Sequence, residues 1–185
     1  AIAGSQIAPS RIWPELKEAV LDRVNRQAYP LTGYKADDVR AILDDINSLD
    51  RDAWARLWSR TGERYFNEAK AKESSDRAHA REAYLAAWRY FGFGAWPTQN
   101  SPEKKRAHQR GTQAFQAYAR LADPPIEVVR VPFEGKEIVG YLQFPSDANN
   151  QSGAKKPARL VLSIGGLDSY KEYIVERYGP DRPGS

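Results

Sequence analysis

The pattern with chemical potential is Gly165-Gly166-Leu167-Asp168-Ser169, which follows the apolar run Arg159-Leu160-Val161-Leu162-Ser163-Ile164. Two glycines after a buried strand admit backbone conformations that a Cβ would forbid. They can leave N–H groups facing a crevice at the strand's C-terminal end, where open α/β sheets bind ligands. Acyl-transfer chemistry needs such donors for a developing oxyanion. Taken alone, a Gly-Gly pair reads first as a tight strand-to-helix turn without chemistry. Asp168 and Ser169 read as caps of the following helix, since a serine without a base is a weak nucleophile.

Other chemistries find less support. The sequence has no Cys, which excludes disulfides, thiolate metal sites and cysteine nucleophiles. His79 and His108 lack metal-ligand spacing and read as surface or boundary residues, so no metal is expected. There is no Gly-x-Gly-x-x-Gly and no phosphate-binding loop, and no cofactor is expected. There is also no Gly-x-Ser-x-Gly. A net charge of +4 does not call for nucleic acid. The basic run Lys104 to Arg110 reads as a solvated helix face. No apolar run is long enough for a transmembrane helix, and no membrane partner is expected.

Two regions of different periodicity must position the glycine segment, and they meet near Asp123-Pro124-Pro125. Residues 1–123 hold all five Trp, both His, 20 Lys/Arg and 16 Asp/Glu; residues 124–185 hold 8 of each charge. The first region reads as helices. Pro14 suits a first turn, Thr32-Gly33 a turn, and Asp50 a cap. Ser74 or Ser75 caps a fourth helix striped by Ala80, Ala83, Tyr84, Ala87, Trp88 and Phe91. Ser101-Pro102 opens a fifth. The second region reads as a hairpin, residues 126–133 and 138–144 joined at Glu134-Gly135. A polar loop, the strand 159–164 buried on both faces, and a helix from Tyr170 to Tyr178 follow.

This ordered series resembles the α/β-hydrolases that carry an N-terminal helical cap. That group includes the pseudooxynicotine-type C–C hydrolases, the fermentation/respiration switch protein and fungal polyketide-shortening hydrolases. The resemblance runs from about Asp50 to Tyr178. It is carried by Arg81-Glu82-Ala83-Tyr84-Leu85-Ala86-Ala87-Trp88-Arg89-Tyr90, by Gly140-Tyr141-Leu142 and by the segment from Gly165 to Glu172. It implies a serine hydrolase acting on an ester or a carbonyl-flanked C–C bond. The backbone N–H groups of Gly166 or Leu167 would be oxyanion donors, with Gly165, Asp168 and Ser169 supporting the turn. Tyr84, Trp88 and Phe91 are candidate substrate-lid residues under that resemblance, although a helical aromatic stripe is more often core. The nucleophile elbow, the acid and the histidine would belong beyond residue 178, so the chain alone is expected to be inactive.

The expected fold is thus α/β: an N-terminal α-helical cap (1–123), then the first strands of an α/β-hydrolase sheet (124–178), incomplete in this chain, and a tail (179–185). With no Met and an unfinished sheet, the sequence is expected to be a piece of something longer. Its expected partners are a small-molecule carbonyl or ester substrate, a C-terminal hydrolase segment and a second copy in a homodimer. The expected compartment is the cytoplasm. The rival reading is a non-catalytic helical interaction module whose Gly-Gly turn merely completes a small α+β domain. A basic nucleic-acid-binding module is weaker still.

Overall fold

A computed structural model describes residues 13–144, 161–166 and 169–178. The helices are α1 (Trp13–Asn25), α2 (Ala36–Asp45), α3 (Arg51–Lys72), α4 (Arg77–Ala95) and α5 (Pro102–Leu121). The strands β1 (Ile126–Phe133) and β2 (Lys136–Gln143) follow, and then α6 (Lys171–Tyr178). Among the described residues no helix is long and apolar enough to cross a membrane.

The helix starts show what is local and what is not. Asp50 caps α3 as expected, its carboxylate accepting from the Ala53 N–H at 2.6 Å. α4 is capped by Asp76, which accepts from the His79 N–H, and not by Ser74 or Ser75. A carboxylate there answers both the free N–H groups and the positive end of the helix dipole. Ser101 stands at the N-cap of α5 but makes no capping bond. Asp52 of α3 takes that role, accepting from the Glu103 N–H at 3.0 Å. This fastens the start of α5 to the start of α3.

α4 lies between α3 and α5, and its apolar surface is not a stripe but nearly a full circumference. Close approach is possible because glycines face it. A Cβ on Gly62 of α3 would stand 2.9 Å from the Phe91 ring, and one on Gly111 of α5 would stand 3.3 Å from the Phe91 Cβ. Tyr34, Trp58, Tyr65, Tyr90 and Phe93 form the aromatic centre, with Trp58 and Phe93 edge-to-face at 4.5 Å. Each such side chain taken out of water contributes roughly 1.5–3 kcal/mol.

The hairpin is antiparallel with Phe133 opposite Lys136 and Ile126 opposite Gln143. Glu134 and Gly135 both have positive φ, which matches a two-residue turn to the right-handed twist of the strands. Its base packs on the helices through Tyr141 and Phe115, 4.9 Å apart. Its tip leaves Val131, Phe133 and Ile138 exposed.

The expected strand 159–164 is corrected. Residues 159 and 160 lie outside the described residues, and 161–164 form no ladder with any described strand. Val161, Leu162 and Ile164 are 84%, 80% and 83% exposed. A strand is held by its neighbours, and among the described residues the hairpin pairs with itself alone. The tail 179–185 also lies outside the described residues.

Candidate functional site

The glycine segment borders a cavity of about 630 Å3. Gly165, Gly166 and Ser169 form one side; Tyr34 and Arg89 of the helical region form another; Tyr173 and Glu176 of α6 complete it. The Ser169 N–H donates to the Gly166 carbonyl at 3.2 Å just before α6. At Gly165 the demand for glycine is one of space, since a Cβ there would stand 3.2 Å from the Ser169 carbonyl oxygen and 3.3 Å from the Ile174 side chain. The left-handed glycines among the described residues are Gly33 and Gly135. Leu167 and Asp168 lie outside the described residues.

Arg89 organises the opposite wall. Its Nε donates to Glu176 Oε1 at 3.0 Å, its Nη2 donates to the same oxygen, and its Nη1 donates to the Gly33 carbonyl at 3.2 Å. Tyr34 donates its hydroxyl proton to the Arg89 carbonyl at 2.5 Å. Burial pushes the Tyr34 hydroxyl well above its ordinary range, with the neighbouring Tyr173 adding to the shift, so it remains a donor. Burial raises Tyr173 as well. The loop carrying Tyr34 is pinned by Gln27, whose amide donates to the carbonyls of Val24 and Tyr34 and accepts from the Gly33 N–H.

The three candidate lid residues lie away from this cavity, packed among the helices. Phe91 is 0% exposed between α3 and α5. Tyr84 is buried beside Phe66 and donates to Glu73 Oε2 at 2.7 Å. Trp88 is buried under α6, its ring 4.8 Å from that of Tyr173. None of the three lines the cavity. A helix enclosed by two neighbours turns its aromatic side chains into them.

No histidine lines this cavity. His79 is exposed, its Nε2 2.6 Å from Glu68 Oε1. His108 is half-buried with its ring 5.1 Å from that of Tyr170. Burial lowers its pKa from the ordinary 6.5, opposed by the charge of Glu172. Among the described residues no three His, Cys, Asp or Glu side chains are grouped to hold a metal ion. The run from Lys104 to Arg110 is not uniformly solvated: Lys104 is buried, because it shares the inward face with Ala107 and Gly111.

Glu172 is the buried carboxylate of the segment. It accepts from the Tyr141 hydroxyl at 2.9 Å, tying α6 to β2, and forms an ion pair with Lys171 Nζ at 3.2 Å. Arg89 and Glu176 line the cavity without belonging to any catalytic or binding motif of the sequence. A signal for Arg89 existed: it is the one charged residue between Glu82 and Glu103. Nothing local marked Glu176 as its partner.

No family model matches the chain. Known proteins do. The α/β-hydrolase gkaG of Penicillium citrinum is 33% identical over 156 residues, covering 82% of this chain and 35% of its own length. The α/β-hydrolase ucsC of an Acremonium species is 28% identical over 170 residues, 84% of this chain and 34% of its own. The hydrolase ORFZ of Pyricularia oryzae is 29% identical over 161 residues, 80% of this chain and 38% of its own. Alike over some four fifths of its residues, the chain is a homologue of these fungal α/β-hydrolases and spans about a third of their length.

Proposed function

We propose that this chain is the N-terminal part of a serine hydrolase that cleaves an ester or a carbonyl-flanked C–C bond. In this reading residues 1–123 form the lid over the substrate and residues 124–178 begin the catalytic sheet. A serine carried by another segment attacks the substrate carbonyl, and the negative charge that develops on its oxygen is met by the backbone N–H of Gly166 or Leu167. Fixed donors at that point stabilise the tetrahedral state more than the ground state. The helical region contributes Tyr34 and Arg89 to the substrate side, in place of Tyr84, Trp88 and Phe91. The run 161–164 pairs with strands of the catalytic segment.

One observation carries the reading: Gly165, Gly166 and Ser169 share a cavity with Tyr34 and Arg89, so the turn after the apolar run opens toward the helical region. The likeness to named hydrolases supports the same chemistry. Reaction with a fluorophosphonate probe tests it without assuming a substrate. The full-length gene product becomes labelled at one serine, and the 185-residue chain does not. In the full-length protein Leu167→Pro, which removes an N–H, lowers kcat for p-nitrophenyl butyrate by about 10²–10³-fold while Leu167→Ala does not. An unlabelled full-length protein, or labelling of this chain by itself, overturns the reading.

A further inference from the structure

A second cavity, of about 330 Å3, opens between α1, the Pro30-Leu31 segment, the start of α3, the end of α4 and the start of α5. It shares Pro30 with the first cavity but none of the glycine turn. Its walls are apolar, with Leu16, Val20, Leu31, Trp54, Phe93 and Trp96 among them. The charged side chains that line it are all cationic: Arg23, Arg51 and Lys104.

Lys104 is 6% exposed, an unusual place for an ammonium. It donates one hydrogen bond, to the Trp96 carbonyl at 2.8 Å. The neighbouring charge that acts on it is Arg51, of like sign, and burial together with that charge lowers its pKa from the ordinary 10.5. Arg51 forms no ion pair among the described residues, whereas its sequence neighbours Asp50 and Asp52 are engaged at helix starts. The indole N–H of Trp96 is buried with no hydrogen-bond partner among the described residues. Trp54, by contrast, donates to the Phe93 carbonyl at 3.2 Å. Buried donors and an uncompensated buried cation are costly states that a bound anion would relieve.

We propose that this cavity binds an amphipathic organic monoanion: a carboxylate between Lys104 and Arg51, with its apolar body against Trp54, Phe93 and Trp96. The volume is that of a small-molecule pocket, roughly 300–1,000 Å3, and the pattern of apolar walls with a few convergent polar groups is the usual one. A bare inorganic anion would leave the aromatic walls unused. A neutral apolar molecule would leave the ammonium and the indole N–H unmatched. The site is independent of the hydrolase reading, because it uses no residue of the glycine turn.

Calorimetric titration of the 185-residue chain with octanoate, 1-octanol and inorganic phosphate tests the proposal. Octanoate binds at one site per chain with a sub-millimolar Kd, and octanol and phosphate bind at least about tenfold more weakly. Lys104→Met and Arg51→Gln each weaken octanoate by about tenfold and leave octanol unchanged. Circular dichroism checks that each variant is folded. Arg51 is exposed, so its variant keeps the test decisive if Lys104→Met does not fold. Equal affinity for octanoate and octanol overturns the proposal, as does unaltered octanoate binding in a folded variant. So does the absence of binding up to about 5 mM. Octanoate uptake that tracks a monomer–dimer equilibrium would instead give the cavity to a second copy of the chain and overturn it too.

Discussion

Arg89 of α4 and Glu176 of α6, 87 residues apart, form an ion pair with side chains only 16% and 14% exposed. The same guanidinium reaches the Gly33 carbonyl, so one side chain joins three segments around the cavity. Removing one member leaves the other charge buried without its partner. Arg89→Met and Glu176→Gln are each expected to destabilise the chain by about 3 kcal/mol. The double variant should lose less than the sum. Urea unfolding of the four proteins, read as a double-mutant cycle, checks this. Additive losses would show that the pair is not coupled.

Gly33 and Gly135 separate backbone strain from crowding. Both have positive φ, 79° and 72°. A Cβ on Gly33 would stand 2.5 Å from Arg89 Cζ, whereas one on Gly135 meets nothing within 4 Å. Gly135→Ala should cost about 1 kcal/mol, the price of the left-handed backbone alone. Gly33→Ala should cost more than about 2 kcal/mol, because the guanidinium must also move. Thermal unfolding of both variants gives the comparison, and equal losses would count against the crowding.

Phe91 distinguishes core from lid. Its full burial between Gly62 and Gly111 predicts that Phe91→Ala loses about 3–5 kcal/mol of stability. A lid residue would instead change substrate affinity and leave the unfolding midpoint nearly untouched. Denaturant unfolding of the 185-residue chain decides between them.

His108 supplies a pH dependence with a definite sign. Burial holds its folded pKa below the ordinary 6.5, with Glu172 pulling it back and Lys171 pushing it down. The unfolded chain therefore takes up the proton more readily. The stabilisation is fully present above pH 6.5 and is lost as pH falls from there towards the lower folded pKa. His108→Gln should flatten the stability profile between about pH 5 and 7 relative to the parent chain. A parallel profile in the variant would show that the imidazole does not report on folding.

Local pattern determined much of this chain. The helical periodicities before Asp123, the cap at Asp50, the turn at Glu134-Gly135 and the short helix after Tyr170 each depend on residues a few positions apart. Steric preference and amphipathic spacing act at that range. The Gly165-Gly166 pair is visible in the sequence for the same reason, and the cavity beside it is not. Tertiary structure alone decided what required partners distant in sequence. Asp52 caps a helix that begins fifty residues later, and Phe91 is enclosed because glycines on two other helices face it. Lys104 turns inward where the basic run looked solvated, and Arg89 finds Glu176. The run 161–164 shows the same division from the other side. Its composition is that of a buried strand, but burial and pairing are properties of neighbours, and no described strand lies beside it.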